Sequence, residues 1–89
     1  MAASLLGAVE QELQNERASA LGEAGRRVEK ALAELAQGDT EDRLAEAGTA
    51  VWYFMILRES LHFFDHKAAL AIYDVPPRVM ARVGVVKKR

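Results

Sequence analysis

The chain has no cysteine. That excludes disulfides, thiol catalysis and any zinc or iron–sulfur site built on thiolates, and it points to a reducing cytoplasm. Proline is almost as scarce: the two residues are adjacent, Pro76 and Pro77, so no proline upstream of them interrupts a helix. No stretch alternates polar and apolar residues as a strand would. The opening Met1-Ala2-Ala3-Ser4-Leu5-Leu6-Gly7 lacks the basic start of a secretory signal. The longest apolar run, Ala50 to Leu57, stops at Arg58, far short of the ~20 residues that a membrane span takes. Gly22 and Gly25 fall inside a helical pattern and not after a strand, so they form no phosphate loop.

What is present is a small, folded, helical chain. Its 89 residues allow one domain, and 51% hydrophobic with 28% charged residues is the balance of a globular protein. The net charge of −1 hides an asymmetry. Residues 78–89 carry Arg78, Arg82, Lys87, Lys88 and Arg89 with no acid, while all thirteen acids lie upstream. A basic tail can attract nucleic acid or anionic lipid. A solvated C-terminus, or one folded onto an acidic face, is the simpler reading.

The apolar spacing predicts a first helix over 4–37. From Leu21 the positions Leu21, Ala24, Val28, Ala31 and Leu35 step three and four apart, a heptad seam. Between Leu13 and Leu21 the seam takes two steps of four through Arg17, a stutter. Gly22 and Gly25 follow, each costing about 1 kcal/mol against Ala. They mark either a kink or a close helix contact. Gly38 suits a helix end, and Asp39 or Thr40 suits the cap of a second helix, predicted over 40–63. A third helix is expected over 66–73 behind an Asp65 cap. Pro76 must end it, and Pro77 can open a fourth over 77–83. Residues 86–89 are expected to be a disordered tail.

The fold expected is therefore all-α: a long helical hairpin with one or two short C-terminal helices, assembling into a helical bundle as an oligomer. The reason is the run Ala50-Val51-Trp52-Tyr53-Phe54-Met55-Ile56-Leu57, which covers every face of its helix. So short a chain has few elements with which to cover them all. A homodimer or higher even oligomer follows, with Leu21, Val28, Val51, Trp52, Phe54, Met55, Leu61 and Phe63 as core or interface. Val75, Val79, Met80 and Val83 are expected to fold back over Trp52 and Phe54 as a small lid.

Three constellations could carry chemistry. Glu59, His62 and His66 would share one face of a continuous helix, and Glu-x-x-His is half of a helical-bundle metal motif. A single copy and the capping role of Asp65 argue against a metal, so no cofactor is expected. Asp65 and His66 could form an acid–base pair, but Ser60 is the only nearby hydroxyl and no oxyanion loop exists. The chain is not expected to be an enzyme. Arg58, Glu59, Asp65 and His66 read instead as a structural polar network at the corner after helix two. Residues 77–83 offer too short a helix for a DNA major groove, with Arg78 and Arg82 but no Asn, Gln or Lys. Nucleic acid is therefore disfavoured as a partner, and another protein remains open.

The order Gly25-Arg26-Arg27-Val28-Glu29, Ala50-Val51-Trp52, Arg58-Glu59, Asp65-His66, Tyr73, Val75-Pro76, Val79 and Arg82-x-Gly84 spans most of the chain. It resembles a family of small, uncharacterised all-helical bacterial proteins classed as a domain of unknown function. The resemblance implies a stand-alone soluble bacterial protein. It carries over no activity and no site residue, and His62 is outside the shared pattern.

Overall fold

The computed structural model describes residues 2–84, so the tail expected over 86–89 lies outside the described residues. Four helices follow in order: α1 (Ala2–Ala36), α2 (Glu41–Ser60), α3 (Lys67–Tyr73) and α4 (Pro77–Met80). No described helix is long and apolar enough to cross a membrane.

α1 runs unbroken through Gly22 and Gly25. At 35 residues it is about 52 Å long, close to the 56 Å long axis of the molecule. The turn to α2 closes with Gly38, at φ 146°, where a side chain would be strained. Thr40 then caps α2, its hydroxyl accepting the Arg43 N–H at 3.1 Å. Glu41 and Asp42 occupy the first turn, where the helix dipole favours acids.

The heptad seam of α1 is its buried face. Ala24, Val28, Ala31 and Leu35 pack on Ala47, Ala50, Val51 and Phe54 of α2. Alanines on both sides let the two backbones approach, while Val28, Leu35 and Val51 fill the space between. Ala69 of α3 and Val79 of α4 complete the core. Leu21, Met55 and Leu61 are half-buried. Trp52 and Phe63, placed among the core or interface residues from sequence, are 44% and 52% exposed. The physical reason is that α1 covers only one side of α2, and the C-terminal segment covers the other only in part, with the Gly84 position 3.5 Å from the Trp52 ring.

The ends of the elements differ from expectation. α2 stops at Ser60 and not at 63, because His62 enters the left-handed region at φ 68°. The N–H groups of His62 and Phe63 then bond back to the carbonyls of Glu59 and Arg58, both at 2.9 Å, a Schellman closure with histidine where glycine is usual. α3 begins at Lys67, one residue later than expected, and Asp65 Oδ1 accepts the Lys67 N–H at 3.1 Å. Asp74 ends α3 in the left-handed region. Pro76 is extended and Pro77 opens α4, as fixed proline φ angles require. α4 is shorter than 77–83, since Arg82 and Val83 donate to carbonyls three residues back and the chain leaves α geometry. Val79 is fully buried beneath this segment, whereas Met80 stays exposed.

Candidate functional site

The two glycines in the middle of α1, Gly22 and Gly25, have opposite surroundings. A Cβ on Gly25 would collide with the Tyr73 hydroxyl and lie 3.3 Å from its ring, with the Phe54 ring at 3.8 Å. Gly25 is therefore a close contact, not a kink, and Tyr73 meets Phe54 edge-on at 5.4 Å between centroids. A Cβ on Gly22 would meet only the Arg26 guanidinium, 3.6 Å away. A second tight glycine lies in α2 and gives no warning in the sequence. A Cβ on Gly48 would come within 2.7 Å of the Arg82 Cβ, so the last turn of the described chain is seated on that position.

The corner between α2 and α3 brings Arg58, Glu59, Asp65 and His66 together. Arg58 donates from Nε to His66 Nδ1 at 3.2 Å and from Nη2 to the Asp65 carbonyl at 2.9 Å. Because the guanidinium can only donate, Nδ1 must accept, and the imidazole carries its proton on Nε2. That nitrogen lies 2.9 Å from Glu59 Oε2. The His66 side chain is only 10% exposed, so both ring nitrogens are satisfied where water reaches poorly. The Arg58 guanidinium also stands 5.4 Å from the centre of the Phe63 ring and 6.0 Å from that of Phe54.

His62 takes no part in this network. Its left-handed backbone puts it after the helix has ended, and its ring lies 6.1 Å from that of Phe64. Glu59, His62 and His66 therefore do not form the single helical face that a metal half-motif needs. Among the described residues no group of three or more His, Cys, Asp or Glu is placed to hold a metal ion. The Ser60 hydroxyl donates to the Leu57 carbonyl at 2.6 Å, back into its own helix. The chemistry of the corner is that of a clasp: Arg58 and Glu59 at the end of α2 hold the Asp65 carbonyl and the His66 ring just ahead of α3.

Three bidentate arginine–carboxylate pairs surround the first half of α2. Arg27 on α1 donates Nε and Nη2 to Glu46 at 2.8 and 3.0 Å. Arg78 donates Nε and Nη2 to Asp39 at 2.6 and 3.1 Å. Arg82 grips Glu41 with both terminal nitrogens. The hydrogen bond to Glu46 pushes the Arg27 pKa above its ordinary value, and the bond to Glu41 does the same for Arg82. Two of the bases in the C-terminal excess are thus folded onto the acidic entry of α2. Periodicity could not have matched these pairs, though the acidic run at the start of α2 and the basic run after Pro77 were its visible signs.

The remaining surface of note is the outer face of α2. Trp52, Tyr53 and Ile56 are 44%, 43% and 41% exposed, with Tyr53 near enough to Arg27 of α1 to act on its charge and the Gly84 position 3.5 Å from the Trp52 ring. Thr49 and Ser60, one turn to either side, are exposed as well. Phe63 and Phe64 follow at the corner, 52% and 67% exposed. Beyond the other end of the hairpin contact, every described side chain from Gly7 to Ser19 of α1 is exposed. No curated protein and no solved structure matches the chain. Over residues 2–89 it matches the family of unknown function DUF6665, and it belongs to that family.

Proposed function

We propose that the chain is a self-associating, non-catalytic helical module whose working surface is the outer face of α2. One observation carries this reading: three large apolar side chains, Trp52, Tyr53 and Ile56, stand together on the side of α2 opposite the core, each more than two-fifths exposed. They present on the order of 300 Å² of mostly apolar surface, the size of a patch that soluble monomers keep for a partner. A second copy of the chain is the partner that is always present at equal concentration. A cysteine-free chain suits a reducing compartment, and the bacterial cytoplasm is the setting we assign it.

The polar groups support the same reading. His66 is engaged on both nitrogens and Ser60 bonds to its own helix, which leaves the corner without a free nucleophile and base. Arg78 and Arg82, the arginines that a nucleic-acid module would present, are each held by a carboxylate. Light scattering on the purified chain tests the proposal. A particle of twice the 9.8 kDa chain mass, or a higher even multiple, at micromolar concentration is expected. A monomer at that concentration overturns it.

A further inference from the structure

We infer that the corner between α2 and α3 is an acid-released clasp: a second proton on the His66 ring drives Arg58 off it and frees the first turn of α3. The device works within one chain, whatever its assembly.

The closed clasp admits one protonation state. Arg58 Nε donates to His66 Nδ1 at 3.2 Å, and a guanidinium has nothing but donors to offer. An imidazolium carries an N–H on both nitrogens. Its Nδ1–H would meet the Arg58 N–H head on, with two positive charges at hydrogen-bond distance. Arg58 must then leave. Its bond to the Asp65 carbonyl, at 2.9 Å, comes from the same planar fork and goes with it. Glu59 Oε2, 2.9 Å from Nε2, stays and gains a charged partner. The proton thus passes the ring from two residues of α2 to one. The open form carries one more ring proton than the closed form, so acid favours opening. The hold is complete where the imidazole is neutral and is lost as pH falls through its titration.

The charged groups that meet the ring are Arg58 and Glu59, both on α2. The neighbouring Asp65 carboxylate accepts the Lys67 N–H, and His62 lies against Phe64. Among the described residues no charged side chain of α1 or α4 bonds to the ring. α3 depends on this hold. Its seven residues are too few for a stable helix in isolation, and His66 makes no side-chain capping bond because its ring is engaged with α2. Ala69 in the core and Tyr73 edge-on to Phe54 keep the rest of α3 seated, so release is confined to its beginning.

Amide exchange of Leu70 and Ala71, whose bonds close the first turn of α3, reads the clasp. It is followed from about pH 7.5 to about pH 5, where imidazoles titrate and most carboxylates do not, and corrected for the intrinsic rate. Protection is expected to fall by about tenfold toward acid while Val28 to Leu35 of α1 keep theirs. His66→Gln keeps an acceptor and a donor but takes up no second proton, and should make the profile flat. His62→Gln, at the only other histidine, should leave the fall in place. No fall in the parent, a fall that persists in His66→Gln, or one that vanishes in His62→Gln overturns the inference. Should His66→Gln fail to fold, nitrogen-15 NMR of the parent decides. The protected Arg58 Nε–H signal should disappear with the same midpoint at which His66 Nδ1 gains its proton. An Arg58 Nε–H that stays protected beside a doubly protonated ring overturns the clasp.

Discussion

Gly48 and Arg82 touch backbone to backbone. A Cβ at Gly48 would sit 2.9 Å from the Arg82 carbonyl oxygen and 3.0 Å from its carbon, atoms that no rotamer change can move aside. Gly48→Ala gains about 1 kcal/mol of helix propensity, but overpacking of a tight site costs ~1–3 kcal/mol. A net loss of stability is expected, with the segment around Val79 loosened first. Urea denaturation checks it, and an alanine variant more stable than the parent contradicts the contact.

The α1 glycines should respond in opposite directions. Gly22→Ala meets nothing closer than the Arg26 guanidinium at 3.6 Å, an ordinary contact, and should stabilise by up to ~1 kcal/mol. Gly25→Ala drives a methyl into the Tyr73 hydroxyl and should destabilise. In a Tyr73→Phe background that cost should shrink, giving a coupling of about 0.5–3 kcal/mol. An unchanged cost of Gly25→Ala in that background would remove Tyr73 from the account.

Arg58 is used as a fork, and lysine has none. Arg58→Lys keeps the charge but cannot reach the His66 ring and the Asp65 carbonyl in the same plane. A loss of about 1–3 kcal/mol is expected, since a bond made by a charged donor is broken and a ring nitrogen is left without a partner. Equal stability of the two proteins in guanidinium would show that only the charge matters.

The Arg78–Asp39 pair is half exposed on both sides, so its bidentate geometry adds little stability. Asp39→Asn should cost at most ~1 kcal/mol at low salt, and the difference should fade as ionic strength rises. A large, salt-independent loss would mean that Asp39 acts through the turn and not through the arginine. Arg27 adds no pH dependence near neutrality. Its pKa is raised, so its stabilisation is complete below the ordinary arginine range and is lost only at pH above it.

The hairpin was legible because the seam from Leu21 to Leu35 repeats the helical period and Gly38 breaks it. The all-round apolar character of residues 50–57 was equally plain. Which half of it faces water was not, since that depends on how far α1 reaches round α2. The early end of α2 was hidden because helix-forming residues continue past it, and a left-handed His62 has no signature in composition. Gly48 looked like one more small residue in an alanine-rich helix. Arg78–Asp39 and Arg82–Glu41 join residues 39 and 41 apart, a separation that no local pattern encodes. The polar corner was the readable part of the site, because its four residues lie within eight positions of one another.

The three arginine clamps share one anchorage, residues 39–46, with α1 gripping from one side and the C-terminal segment from the other. The opening turn of α2 is therefore the point at which the two ends of the fold become one cooperative unit. When that turn unwinds, the grip of Arg27 and the seating of Arg82 over Gly48 are released together. Amide protons of 44–48 and 79–83 should then exchange with deuterium at a common opening free energy, while the exposed stretch of α1 before Ala20 exchanges on its own, faster clock.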